Sequence, residues 1–178
     1  LLGHSMGGLV VQRAVAAHPA LADAVVMSSP ALAAFTNPLQ KLLLATLPQW
    51  LPHLCVDNGL KLERLARDAQ VVRDYKHDRL VHRFISASLA AWIVQEGIQA
   101  VQQAEAWHVP SLLMYAGQDK LVNPQGSAEF SQRAPADFLQ SHCFNVMYHE
   151  IFNDPEKHVV LQKLIGWLDA RYAAKQSN

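Results

Sequence analysis

The sequence predicts an α/β architecture: a mostly parallel, doubly wound sheet interrupted by one long helical insertion. Two observations carry that reading. Apolar strand-like runs alternate with helical patterns along the 178 residues, as a parallel sheet with crossover helices requires. Residues 31–109 then separate two consecutive strands, where an ordinary crossover needs only about a dozen residues or somewhat more.

The first element is the end of a strand, Leu1 and Leu2, followed by "GHSMGG" at residues 3–8. Gly3, His4, Ser5, Met6 and Gly7 form G-x-S-x-G, the pattern in which a strand turns sharply into a helix with the serine at the apex. Such a turn strains the serine backbone. A side chain two residues before or after it is expected to collide with its surroundings, and Gly3 and Gly7 remove that collision. Leu9, Val10, Val11, Ala14 and Val15 are spaced for a helix packed on a sheet, ended by Pro19. Ser5 therefore stands at a helix N-terminus. The unpaired N–H groups and the positive end of the helix dipole can stabilise an oxyanion there, with the Met6 N–H as first donor.

From Asp23, "DAVVMSSPAL" reads as a buried parallel strand closed by Ser-Ser-Pro. From Pro110, "PSLLMYAGQDKLVNP" repeats the form, with a strand over 112–116 and a turn at Gly117, Gln118 and Asp119. Asn123 and Pro124 supply an N-cap and first helical position. "HCFNVMYHE" (142–150) is the next strand, ending at Tyr148 with His149 just beyond. Asp154 and Pro155 cap the last helix, whose Leu161, Leu164, Ile165 and Leu168 share one face. The division this implies is core at 1–30, a helical cap (lid) at 31–109 and core again at 110–178.

The insertion is unusually apolar. "NPLQKLLLATLPQWLP" holds Leu39, Leu42, Leu43, Leu44, Leu47, Trp50 and Leu51, and a proline-free stretch over 79–107 holds Leu80, Phe84, Ile85, Leu89, Trp92 and Ile93. Most of these leucines are expected to bury against one another and the sheet. The first helix has more apolar residues than one face can bury, an excess suited to lining an acyl pocket, with Leu43 and Leu47 as candidates, or to touching a lipid surface.

Composition excludes several classes. The chain is 51% hydrophobic and 17% charged with a formal net charge of +0, and its Lys and Arg are not clustered, so no nucleic-acid partner is expected. Cys55 and Cys143 are isolated, without CxxC or histidine at ligand spacing, which argues against metal and redox roles and fits a reducing compartment. No apolar run approaches the ~18 residues of a membrane span. The expected setting is cytoplasmic, with peripheral membrane contact through the cap.

In open α/β sheets the working groups lie beyond the carboxyl ends of the strands. Ser5, Asp119 and His149 each follow a predicted strand, and their order, Ser then Asp then His, is that of α/β hydrolases. The roles follow: His149 takes the Ser5 proton, while Asp119 fixes its tautomer and stabilises the imidazolium. Other histidines compete. His142 begins the last predicted strand, His158 lies inside a helix, His53, His77, His82 and His108 belong to the insertion, His18 ends a helix, and His4 is expected to pack beneath the turn.

"GHSMGG", "YKHDRLVHRFISASL", "PSLLMYAGQDKLVNPQGS" and "YHEIFND" resemble the successive signatures of the monoacylglycerol lipase and lysophospholipase group of serine α/β hydrolases. The resemblance implies the same catalytic assignment, a cap over an acyl-binding tunnel, a lipid-ester substrate and no metal or cofactor. It departs at Val146, where the group usually has a glycine. It also implies that five strands and a His-Gly loop supplying a second oxyanion donor lie upstream of Leu1, roughly 80 to 100 residues. The chain is thus expected to be the C-terminal part of such an enzyme, inactive when expressed alone. A thioesterase or proline-type aminopeptidase shares the elbow and triad, and an aminopeptidase would need acidic residues such as Glu63, Asp68, Asp74 or Asp78 aimed at a substrate amine. A truncated, non-catalytic scaffold is the alternative outside the enzyme class. Oligomeric state is not legible.

Overall fold

The computed structural model describes residues 1–176. In chain order the elements are β1 (Leu2–His4), α1 (Met6–Ala17), β2 (Val25–Ser28), α2 (Pro38–Trp50), β3 (Cys55–Asp57), α3 (Ala69–His77), β4 (Phe84–Ser86), α4 (Ala87–Gln102), β5 (Ser111–Ala116), α5 (Pro124–Arg133), β6 (Leu139–Phe144) and α6 (Lys157–Gln176). The main sheet has the order β1-β2-β5-β6 with every pair parallel. One register row runs His4, Ser28, Met114, His142. The carboxyl ends of all four strands consequently meet at one edge.

The two central strands, β2 and β5, are buried on both faces, which is why they are nearly continuous apolar runs. Val25, Met27 and Leu113 face α1, α4 and α5 through Leu9, Val15, Val101 and Phe130. Val26, Leu112 and Met114 face the other way, onto Ile151 and Val160. The doubly wound class read from the sequence is the class observed.

Four local expectations need correction. The last strand is Leu139–Phe144, not a run to Tyr148. Pairing with β5 ends at Ala116 and Phe144, after which the chain turns, the Met147 N–H donating to the Phe144 carbonyl at 3.1 Å. The apolar pair Val146 and Met147 mimicked strand continuation, yet Val146 is 56% exposed and Met147 buries inward as an anchor. Val146 needs no glycine-like backbone, since among the described residues only Ser5, Ser29 and Gly59 have positive φ.

The insertion is not wholly helical: β3 and β4 pair antiparallel in a separate two-stranded ribbon, its three-residue strands too short for a period-2 pattern to declare itself. At its far end Ala100, Val101, Ala104, Trp107 and Val109 join the core beside α1 and α5, so the segment expected as cap merges into the sheet layer before residue 109. The last helix turns Val160, Leu164 and Trp167 inward, while Leu161 and Ile165 are 40% and 54% exposed. Its buried face is thus offset from the predicted stripe, because the helix starts at Lys157 behind a turn at Asp154.

Helix starts obey the capping rules. Asn37 and Gln40 form a reciprocal capping box at α2, Oδ1 accepting the Gln40 N–H at 2.8 Å and Oε1 accepting the Asn37 N–H at 3.0 Å. Asn123 accepts the Gln125 N–H at 3.1 Å ahead of Pro124. Among the described residues no helix is long and apolar enough to cross a membrane.

One clamp ties the insertion to the segment after β6. Arg67 donates from Nε to Asp154 Oδ2 at 2.8 Å and from Nη2 to Asp154 Oδ1 and Glu156 Oε2, both at 2.6 Å. Next to it, Leu65 and Ala66 are buried, and the Leu65 carbonyl accepts the Glu150 N–H at 3.0 Å. The Asp154 side chain is only 1% exposed. Burial alone would raise its carboxyl, but the bonds from Arg67 and the Glu156 N–H hold it below its ordinary 3.8. Replacing Arg67 with Met should leave a buried carboxylate without its partner and destabilise the full-length protein by about 3–5 kcal/mol at neutral pH. A carboxyl held low when folded stabilises above its unfolded value and loses that contribution as pH falls through the folded one. The Tm gap between wild type and R67M should therefore narrow from about pH 6 to about pH 3; thermal scans across that range check it, and a pH-independent gap refutes it.

Candidate active site

The turn from β1 into α1 places Ser5 at φ 54 and ψ −123, a region that a residue with a Cβ enters only when its surroundings over-determine it. Three contacts do so. The Ser5 N–H donates to the Ser28 carbonyl at 2.9 Å, and the Ser5 carbonyl accepts from Gly8 and Ala31, both at 3.0 Å. Ser5 makes no side-chain cap bond to its own helix, so the hydroxyl is not consumed by α1. The Met6 and Gly7 N–H groups lie in the first helical turn, where no intrahelical acceptor exists.

The crowding at this turn falls only partly where the motif placed it. A Cβ on Gly3 would fall 2.2 Å from the Gly7 carbonyl oxygen, so only glycine fits, as expected. At Gly7 a Cβ would meet nothing within 4 Å of the described chain. The second obligatory glycine is Gly8, whose Cβ would sit 2.9 Å from the Pro30 Cβ and 3.1 Å from the Gly3 carbonyl oxygen. The chain crosses back over the elbow one residue later than the five-letter pattern implies.

Asp119 follows β5 and is 4% exposed. Its Oδ1 accepts the N–H groups of Leu121 and Val122 at 2.8 and 2.9 Å. Its Oδ2 accepts from His149 Nδ1 at 2.6 Å. With Nδ1 bearing the proton shared with Asp119, the Nε2 lone pair is left to act as base. His149 is itself 3% exposed. It lies past the turn after β6, which is docked on the β5 turn by the Gln118 N–H donating to the Met147 carbonyl at 3.1 Å.

The structure brings Asp119 and His149 into direct contact and sets Ser5 one residue from His4, whose ring lies 4.9 Å from that of His149. A Ser5–His149 hydrogen bond is not among the described contacts. Leu43 and Leu47 line one cavity of about 280 Å³ with Phe35, Leu44, Pro48 and Val56; Ser5, Asp119 and His149 are not part of its lining. His142 lies in β6 against Gln140, and burial with Lys163 nearby pushes its imidazole down.

Three site neighbours escaped sequence reasoning. Ser29, at φ 39 and 2% exposed, donates its hydroxyl to the His149 carbonyl at 3.0 Å; Ser-Ser-Pro had signalled only a strand end. Glu150 lies 3.3 Å from His4 Nε2, and its adjacency to the histidine was the one available clue. Leu65, which holds the Glu150 N–H, carried no signal at all.

Comparison with known proteins bears on the family and the fold. The Hydrolase_4 family, described as "Serine aminopeptidase, S33", matches residues 1–156. The chain is 32% identical over 171 residues to a monoacylglycerol lipase of Mycolicibacterium smegmatis, an alignment covering 94% of this chain and 61% of the relative. It is 32% identical over 174 residues to the phospholipase YtpA of Bacillus subtilis, covering 95% of this chain and 67% of that one. The crystal structure of Paleococcus ferrophilus monoacylglycerol lipase matches with a TM-score of 0.89 at 33% identity, over 94% of this chain and 66% of that one. A soluble variant of the Saccharomyces cerevisiae monoglyceride lipase, solved with a substrate analog, shares the fold at a TM-score of 0.84 and 20% identity, over 95% of this chain and 61% of that one. The chain thus spans less than two thirds of the length of the first of these relatives. With the elbow, the buried Asp–His pair and the parallel sheet that aligns them, these matches show that the chain belongs to the Hydrolase_4 family and has the α/β-hydrolase fold.

Proposed function

We propose that this chain carries the catalytic residues of a serine hydrolase that cleaves carboxylic esters of the monoacylglycerol or lysophospholipid type through an acyl-enzyme. The observation that carries the reading is the buried 2.6 Å bond between Asp119 and His149 at the sheet edge where Ser5 stands on its strained turn. His149 Nε2 takes the Ser5 proton as the hydroxyl oxygen attacks the ester carbonyl, Asp119 steadies the resulting imidazolium, and the proton passes on to the departing alcohol. Water then repeats the sequence on the acyl-Ser5 ester. The Met6 N–H, free at the start of α1, is the donor to the oxyanion.

The insertion supports a lipid substrate. The cavity bounded by Leu43 and Leu47 is almost wholly apolar in its lining, as an acyl chain requires. Leu39, Leu42, Trp50 and Leu51 are exposed on or just beyond α2, a surface suited to transient contact with a membrane. The four acidic residues that an aminopeptidase reading needs are engaged locally: Glu63 with Lys76, Asp68 and Asp78 with backbone N–H groups, and Asp74 with Gln70. An amine-binding carboxylate would have to leave such a contact.

The discriminating assay compares turnover of a monoacylglycerol with that of an aminoacyl anilide by the full-length protein. The glyceride should be the better substrate; preference for the anilide refutes the ester reading. S5A and H149A should each lower kcat by on the order of 10⁶, since triad members act as a unit, while H142A should remain active. A dead H142A beside an active H149A would show that the base is misassigned. Replacing Leu43 or Leu47 with Asp should weaken long-chain esters more than butyryl esters, each lost buried methylene contact being worth about 0.8 kcal/mol. A uniform loss across chain lengths would remove these leucines from the acyl pocket.

A further inference from the structure

His4 and Glu150 occupy matched positions: one precedes the nucleophile by a residue, the other follows the base by a residue, and their side chains meet. His4 Nε2 stands 3.3 Å from Glu150 Oε1, with the two side chains 27% and 18% exposed. The far side of the imidazole is also held, Nδ1 lying 3.0 Å from the Oγ of fully buried Ser28. The far side of the carboxylate is held too, Oε2 accepting from Asn153 Nδ2 at 2.9 Å. The His4 ring meanwhile packs against the His149 ring, centroids 4.9 Å apart at 54°. A continuous chain of contacts therefore runs from β2 through His4 and Glu150 to the turn after His149.

We propose that His4 and Glu150 form a positioning brace that registers the nucleophile elbow against the loop carrying the catalytic base. The proposal rests on the reading of Ser5 and His149 as nucleophile and base. The need for a brace follows from the fold. β6 ends at Phe144, so His149 reaches the site on a turn rather than on sheet hydrogen bonds. Asp119 fixes one end of the imidazole, and Ser29 and Leu65 fix the backbone on either side of the His149–Glu150 peptide link. Beside these three holds, His4 supplies a fourth, the one adjacent in sequence to the nucleophile. A shift of the His149 loop of about 1 Å relative to Ser5 can cost ~10²-fold in rate.

Burial works to raise the Glu150 carboxyl, and contacts with His4, Asn153 and His149 outweigh it and hold the carboxyl below its ordinary value. Tyr75, from α3, is the further titratable group facing Glu150, its phenol pushed up by its own burial and then by the Glu150 and Asp78 carboxylates. Neither His4 nor Glu150 is assigned a proton in the reaction; both act through His149 and Ser5.

The test is the pseudo-first-order rate at which a fluorophosphonate labels Ser5 in the full-length protein, with H4A, E150A, E150Q and the double variant H4A/E150A beside wild type. E150A and H4A should each slow labelling about 10- to 100-fold, and the double variant should be no slower than the slower single, because both remove one contact. E150Q, which keeps the length and the polar end of the side chain against His4, should recover most of the rate. A second readout needs no reactive serine: the downfield proton NMR signal of the His149–Asp119 hydrogen bond should broaden in E150A and H4A and sharpen again in E150Q. Additive losses, or labelling and proton signal both unchanged in E150A, overturn the brace. So does an E150Q as slow as E150A. Wild-type protein that labels at Ser5 but cleaves no glyceride refutes only the substrate class, and wild-type protein that does not label refutes the nucleophile while the proton signal still decides the brace.

Discussion

A buried carboxylate with both oxygens engaged is the constraint on which this site depends. Asp119 sits almost out of contact with solvent, where an unpartnered charge would be expelled or neutralised. It is kept by three donors: two backbone N–H groups from its own turn and the His149 imidazole. Charge-assisted bonds of this kind are short and roughly twice as strong as neutral ones. The turn after β5 and the turn after β6 thereby become one unit, because neither can move without stranding the carboxylate. The parallel register does the preliminary work, delivering both turns to the same edge.

The Ser5 side of the site is held differently, by backbone strain. Ser5 and Ser29 are the only non-glycine residues with positive φ among those described. They are linked, since the strand that ends at Ser28 accepts the Ser5 N–H, and Ala31, two residues past Ser29, donates back to the Ser5 carbonyl. Each strained turn thus supplies partners that hold the other in place. Ser29 then passes the constraint on, its hydroxyl reaching the His149 carbonyl. The insertion joins through Leu65 and Arg67, which grip the Glu150 N–H and Asp154. Part of it is therefore structural support for the segment that carries His149.

What could be read in advance divides along physical lines. The placing of Ser5, Asp119 and His149 at one sheet edge was legible because each belongs to a local pattern, an elbow or a residue just past an apolar run, and because the α/β topology sends all such residues to one edge. The N-caps at Asn37 and Asn123 involve neighbours within a few residues and obey the same logic. The extent of β6 was not legible, since strand length is decided by where the partner strand stops pairing, at Ala116. Gly8 escaped because its crowding comes from Pro30, and Ser29, Glu150 and Leu65 escaped because their partners lie far away along the chain. Patterns of period 2 or 3.6 cannot encode such contacts.

The family description names a peptidase and the more similar relatives are named for lipids, yet the site itself is indifferent to that difference. An elbow serine, an imidazole with its Nε2 free and a backbone donor serve acyl transfer from an amide as readily as from an ester. Selection must come from what approaches the carbonyl, the part that the reading proposed above gives to the insertion. α2 is capped by a box at one end and carries Pro48 in its final turn, so its position along the chain is well bounded. Its apolar residues divide between a cavity with Leu44 and Leu47 on one side and open exposure of Leu39, Leu42 and Trp50 on the other. A helix apolar on both sides does not suit a peptide amine, which needs a committed carboxylate near the carbonyl, and the insertion's candidate carboxylates are held in local bonds. It suits a substrate that arrives from an apolar phase and leaves its chain in one, which is the physical ground for placing the lipid reading ahead of the peptide one.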